Sequence, residues 1–284
     1  MLLSIGANER KIIFSVSACN KCKTVLFDWS RMNFIGFKTL FMKEVSRSKD
    51  VAIQAFLSPV ITTLLYFLVF GSAIGHRIGS FGSIPYDQFI VPGLILMALI
   101  MNSLMAASSG IYFPRFIGTI GELLTAPLSG LEIVLAYALA AVARSLAIGA
   151  TIYIVAYFLT GIPIANPLFV LLFGFLTALT FAFFGLVLGI WAKDFEQLSL
   201  VPTLLITPLS FLGGIFYSLD MLPAFWQNIT LWNPIFYMVD GLRYGFFGVA
   251  DVNPWISIVL VGTLLVVCLG VLQWMFRTGY KLKN

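Results

Sequence analysis

Residues 145–192 read SLAIGATIYIVAYFLTGIPIANPLFVLLFGFLTALTFAFFGLVLGIWA, with no Asp, Glu, Lys, Arg or His in the run. A helix crosses the hydrocarbon core of a bilayer in about 20 predominantly apolar residues, so this run is too long for one crossing. At its middle, Thr160-Gly161-Ile162-Pro163-Ile164-Ala165-Asn166-Pro167 brings Gly, Pro and Asn-Pro signals together. The run therefore reads as two membrane helices joined by a tight turn.

Working outward, four more stretches lack those residues: Val51 to Gly75, Gln88 to Pro114, Gln197 to Leu219 and Val252 to Phe276. The first helix of the long run extends backwards through Arg144 to about Gly130. Six spans result, at 51–75, 88–111, 131–159, 167–192, 198–217 and 255–276. Backbone polar groups cannot be left open in lipid, so each span is helical and the fold class is an all-α membrane protein. Composition agrees. The 284 residues carry 17 Lys and Arg and 12 Asp and Glu, 10% charged in all, at a mean hydropathy of +0.99. An ordinary soluble domain is about a quarter charged. With 27 Phe, 10 Tyr and 6 Trp, the chain is also too apolar to be disordered.

Charge placement sets the expected orientation. Nine of the Lys and Arg precede residue 51, and Arg115, Lys193, Arg277, Lys281 and Lys283 fall in the segments on the same side. The opposite segments hold Arg77 and Arg243 alone. The excess puts both termini in the cytoplasm.

Residues 1–31 read as an N-terminal extension. Lys11 to Cys19 has the outline of a lipoprotein signal, with an apolar region at the short limit for one. Cys19 and Cys22 have metal-ligand spacing but no second pair and no nearby His, which argues against zinc. Residues 32–50 follow, with Phe34, Phe37, Phe41 and Val45 at helical spacing among Lys38, Lys43, Arg47 and Lys49. They form an amphipathic helix in the cytoplasmic interface, or else a soluble helix packed on a partner.

Enzymatic chemistry has little to work with. The chain's one His is His76, and neither a Ser-His-Asp nor a Cys-His arrangement can be built around it. Asp194 and Glu196 are better read as a solvated loop than as a cation site. No G-x-x-x-x-G-K-[ST] phosphate loop is present, so ATP, if used, is hydrolysed by a partner. Anionic lipid accounts for the basic N-terminal region without nucleic acid.

Three regions carry the functional reading. Between spans two and three, residues 112–130 read as a short helix bounded by Pro114 and Pro127, with Ile117, Ile120, Leu123 and Leu124 on one face. A helix that short is marginal alone and packs on something. It is either a docking helix for a soluble subunit or a plain surface connector. Between spans five and six, Tyr217 to Trp255 is long and aromatic, with Trp226, Trp232, Tyr237 and Tyr244 among its rings. Pro223 and Pro234 mark two helix starts, and Asn233 is placed to cap the second. These read as two short helices dipping into the outer leaflet, with Asp240 and Arg243 positioned for a local ion pair. Third, Arg144 sits near mid-span, where an Arg costs about 2.5–3.5 kcal/mol. It faces a wet pathway or a protein interface, and Glu132 lies about 18 Å away along the helix, out of reach. Pro202 and Pro208, followed by Gly213-Gly214, predict bends in span five.

In this order the regions resemble the permeases of the ABC transporter type-2 export family, the membrane subunits of daunorubicin-type drug, nodulation-factor and capsular-polysaccharide exporters. The resemblance covers about residues 33–280. It rests on Pro208 to Tyr217, Met221-Leu222-Pro223, Asn233 to Tyr237, Asp240 to Arg243, Gly118 to Leu124 and Pro127-Leu128-Ser129. It implies a permease domain over 51–280, with an interfacial N-terminal helix and a coupling helix carrying Arg115, Gly118, Thr119, Ile120, Glu122, Leu123, Leu124 and Pro127. It further implies re-entrant helices carrying Pro223, Asn233, Pro234, Asp240 and Arg243, and two permease copies paired above two P-loop ATP-binding subunits. ATP and Mg would reside in those subunits and no cofactor in this chain. The expected function is export across the bacterial plasma membrane, with drug, glycolipid or polysaccharide as cargo. The alternative is a membrane assembly or resistance factor that transports nothing.

Overall fold

The computed structural model describes residues 33–50, 52–74, 80–81 and 84–281. The expectations for residues 1–31, for His76 and for Arg77 lie outside the described residues. Helix α1 spans Phe34–Asp50 and α2 Ala52–Tyr66, with a π-helical continuation at Phe67–Ile74. A two-rung antiparallel ladder, Ser80 with Pro85 and Phe81 with Ile84, leads into α3, Tyr86–Ile117. Then come α4 (Ile120–Thr125), α5 (Gly130–Thr160), α6 (Pro167–Trp191) and α7 (Phe195–Val201). A π turn at Pro202–Ile206 joins α7 to α8, Thr207–Phe211. The chain finishes with α9 (Ala224–Trp232), α10 (Pro234–Phe247) and α11 (Pro254–Thr278).

Four of these helices, α3, α5, α6 and α11, are long and apolar enough to cross a membrane. They correspond to the expected spans two, three, four and six. The turn at 160–167 is where the Gly and Pro signals put it. Gly161 ends α5 in the left-handed conformation, and Pro167 opens α6. The residues expected to form the other two spans do not make single long helices. The first is α2 with its π-helical continuation. The fifth begins at Phe195, is interrupted by the π turn at Pro202 and stops at Phe211, short of Tyr217. The chain leaves the helix through Gly213 and Gly214, the latter at φ 75°.

α6 is the centre of the bundle, packed on α3, α5, α10 and α11. Between membrane helices association rests on close van der Waals packing, which small residues permit. On α6, Gly185 and Gly189 present a hydrogen where any Cβ would lie 2.4 Å from Leu104 O and 2.5 Å from Ser108 O, so the α3 and α6 backbones touch. α10 repeats the device with Gly241 and Gly245 against Phe173 and Val170, near the start of α6. Phe173, Phe183, Ile148 and Ile100 fill the interior around these seams. α11 leaves most of its surface outward, including Trp255, Val259 and Val266.

One boundary and one packed face depart from the sequence reading. α3 runs straight through Pro114 to Ile117, so Pro114 does not bound the short helix, which is only Ile120–Thr125. Proline in a helix removes one backbone bond. α3 accommodates Pro92 in the same way. In α1 the packed face is centred on Leu40 and Glu44, with Phe37 and Phe41 half-buried beside them, while Phe34 is exposed. α1 lies along α5.

Candidate functional site

The segment after α3 is anchored at both sides. α3 ends at Gly118, φ 88°. In α4, Ile120 is buried and Leu123 half-buried against the core, and the Leu124 side chain lies outside the described residues. Ile117 does not share that face: it ends α3 and is 70% exposed, as is Phe116 at 71%. Gly118, Thr119, Gly121, Glu122, Thr125 and Pro127 are also exposed. Phe116, which the sequence did not single out, and Ile117, placed there on the apolar face, thus extend the projecting surface from the last turn of α3.

Arg115 points the other way. Its Nη1 donates to Gly189 O at 3.3 Å, Ile190 O at 2.5 Å and Ala192 O at 2.9 Å. These carbonyls belong to the last turn of α6, which has no partners of its own for them and carries the negative end of the helix dipole. Lys281 Nζ donates to Trp191 O at 2.7 Å and lies 5.3 Å from the Trp191 ring.

On the other flank, Glu132 fastens two helix starts with one carboxylate. Oε2 accepts from Ser129 N at 2.6 Å, while Ser129 Oγ accepts from Glu132 N at 3.3 Å, a complete capping box on α5. Oε1 accepts from Asn33 N at 2.5 Å, and Asn33 Oδ1 accepts from Gly36 N at 3.0 Å at the start of α1. Further along α1, Glu44 and Arg47 form an ion pair at 2.7 Å. Burial pushes the Glu44 carboxyl up, and Arg47 and Lys43 pull it back down. Arg144 is half-buried in α5, has no ion-pair partner among the described residues, and its buried Nε makes no hydrogen bond.

At the opposite end of the bundle the two short helices form where the prolines put them. Pro223 precedes α9, and Asn233 caps α10, its Oδ1 accepting from Ile235 N at 3.0 Å with Pro234 at the first position. The expected Asp240–Arg243 pair does not form. Asp240 instead accepts the backbone N–H groups of Asp251 at 2.8 Å and Val252 at 3.0 Å. Arg243 donates to Gly214 O at 2.8 Å, stacks 4.0 Å over the Phe89 ring, and pairs with Asp251 at 3.7 Å. Three residues along a helix are neighbours, but each of these side chains finds a better partner off it. Close by, Tyr66, Phe70, Phe211 and Phe216 pack as one aromatic group, with Phe70 and Phe216 4.4 Å apart, joining the α2 continuation to the end of α8.

A groove of about 260 Å³ runs between α2 and α3, lined by Ser58, Thr62, Thr63, Tyr66, Met97, Met101, Asn102 and Met105. Its lining comes from two helices far apart in sequence, and no local signal marked it. Among the described residues no three His, Cys, Asp or Glu side chains converge. Asp194 and Glu196 are exposed.

A family model described as ABC-2 type transporter matches residues 35–247. Over 252 residues the chain is 40% identical to the inner membrane transport permease YadH of Escherichia coli K12, covering 88% of this chain and 98% of that protein. It is 28% identical over 201 residues to nodulation protein J of Rhizobium leguminosarum bv. trifolii, covering 69% of this chain and 75% of that one. Nodulation protein J of Rhizobium meliloti is likewise 28% identical, over 200 residues.

Proposed function

We propose, from the premise that the chain belongs to the ABC-2 type transporter family, that it is the transmembrane permease subunit of an ATP-driven exporter in the bacterial inner membrane, working with a separate P-loop ATP-binding subunit. The observation that carries the reading is the segment 116–125. It projects exposed residues from Phe116 to Glu122 yet is held to the bundle by Arg115, Ile120 and Leu123 on one side and by Glu132 on the other. A connector with no task needs no such anchoring. A surface that must receive motion from a soluble subunit does, because a loose one would absorb the motion locally.

In this reading both termini are cytoplasmic, α1 lies in the cytoplasmic interface, α4 is the coupling helix, and the composite spans one and five complete a six-span domain over 51–280. α9 and α10 close the outer end as re-entrant helices. ATP and Mg are held by the partner. ATP binding there shifts the permease between two arrangements only through its different affinity for them. Two permease copies pair. Supporting this, α2 and its π-helical continuation leave Leu57, Ile61, Leu65 and Leu68 exposed, and α7 and the π turn leave Leu200 and Leu204 exposed. These stripes belong to the two elements whose ends meet in the aromatic group. The cargo class stays as open as the family: drug, glycolipid or polysaccharide.

The test is affinity purification of the tagged protein in mild detergent with assay of nucleotide hydrolysis. The ATP-binding subunit is expected to accompany the wild type and to be lost in Gly121→Trp and Glu122→Arg, which alter only exposed positions, while membrane insertion is unchanged. Retention of the subunit in both variants overturns the docking assignment. Recovery of the wild-type permease alone overturns the exporter and favours the non-transporting assembly or resistance factor.

A further inference from the structure

The last turn of α6 and its capping residue Ala192 present four carbonyls, those of residues 189 to 192, and all four are taken by cations from other elements: Arg115 of α3 holds Gly189, Ile190 and Ala192, and Lys281 after α11 holds Trp191. Charge-assisted bonds to a helix terminus are among the stronger polar contacts available at a membrane edge. Arg115 stands three residues before Gly118, where the chain turns into the projecting segment. Directly above it, Gly185 and Gly189 bring the α3 and α6 backbones into contact, so the Arg115 bonds close the end of a seam that is already tight. At its far end the same α6 helix seats α10 through Gly241 and Gly245. A helix of 25 residues is about 37 Å long at 1.5 Å per residue, so α6 reaches from one end of the bundle to the other.

We infer that Arg115 is a positioning residue of the transport cycle. It locks the projecting segment and α6 into one rigid body, with Lys281 adding the end of α11, so that a displacement at residues 116–122 is delivered along α6 to α10 at the opposite end. The inference rests on the coupling reading above and adds the route by which the motion travels. It also reassigns Arg115: its guanidinium faces α6 and is not part of the docking surface.

The test uses the full chain with Cys19, Cys22 and Cys268 replaced by Ala and spin labels at Gly121→Cys and Lys193→Cys, both exposed positions, read by pulsed electron paramagnetic resonance in lipid nanodiscs. A single narrow distance distribution is expected, lost in Arg115→Ala and partly kept in Arg115→Lys, which retains the charge. A distribution in Arg115→Ala as narrow as in the parent overturns the clamp. Where Arg115→Ala does not accumulate in the membrane, Lys281→Ala provides the milder variant, with a smaller broadening expected and an unchanged width counting against the proposal.

A second label pair, Trp232→Cys with Val249→Cys, is followed in the complex with the ATP-binding subunit and a non-hydrolysable ATP analogue. The nucleotide-dependent shift is expected to vanish in Arg115→Ala while the subunit still co-purifies and hydrolyses ATP, and to return in Arg115→Lys. A merely structural cap would leave that shift in place. Failure of the wild type to bind the subunit defeats the coupling reading while leaving the first label pair to decide the clamp.

Discussion

The two ends of the bundle each hold an arginine, and the two work in opposite senses. At the end bearing α4, Arg115 gives its hydrogen bonds to backbone that would otherwise be unpaired, and Glu132 does the same for two helix starts with the opposite charge. At the other end Arg243 is itself the group that must be satisfied. It is 4% exposed, bonded to Gly214 O and stacked on Phe89, with Nε and Nη1 making no hydrogen bond. The first arrangement uses charge to finish helices. In the second, the surrounding fold accommodates a charge. Helix termini are where a side-chain ion stabilises most directly, because backbone donors and acceptors are already concentrated there.

Substitutions at the two ends test this contrast. The largest effect is expected at the seam that both ends share. Gly189→Leu places a side chain where even a Cβ would meet Ser108 O at 2.5 Å, at a cost of about 3 kcal/mol or more. It should abolish the monodisperse species in size-exclusion chromatography. Normal behaviour there would mean that the α3–α6 contact is not what holds the two ends in register.

Arg115→Ala should come next, destabilising by about 2 kcal/mol because three carbonyls lose a charged donor. Glu132→Ala removes the side-chain acceptor at two helix starts, a loss of about 1–2 kcal/mol. Its signature is local: faster amide hydrogen exchange at residues 33–36 and 129–132, with α10 unaffected. Arg243→Met is expected to be the mildest, a loss of about 1 kcal/mol, since Gly214 O loses one charged donor while the pair with Asp251 is long at 3.7 Å. Asp251 keeps Ser218 Oγ and Leu219 N as donors without it. Thermal unfolding in detergent ranks the last three. A loss at Arg243→Met larger than at Arg115→Ala would reverse the comparison and make the end bearing α10 the one that depends on its charge.

Much of the architecture was legible because lipid imposes a simple rule. Charge-free runs located the four long helices, and the Gly and Pro signals at 160–167 and the Asn233–Pro234 pair marked a turn and a cap whose chemistry is local. The missed features depend on neighbours distant in sequence. Pro114 looked like a boundary because proline breaks helices on average, yet α3 carries both Pro92 and Pro114 inside it, and just past Pro114 the Arg115 side chain bonds to α6, some 75 residues away. Asp240 and Arg243 looked like a pair because their spacing allows one, but Asp251, Gly214 and Phe89 compete and win. Ile117 looked like part of the short helix's apolar face because α3 was expected to have ended before it.

Composition and charge placement were enough to read this chain as a membrane bundle and to locate its four long helices, since both follow from the cost of exposing backbone or charge to hydrocarbon. The tertiary structure decided what each charged residue does there. An arginine side chain reaches several elements at once, and which carbonyl, ring or carboxylate it meets depends on how α3, α6 and α10 approach one another across their glycine seams.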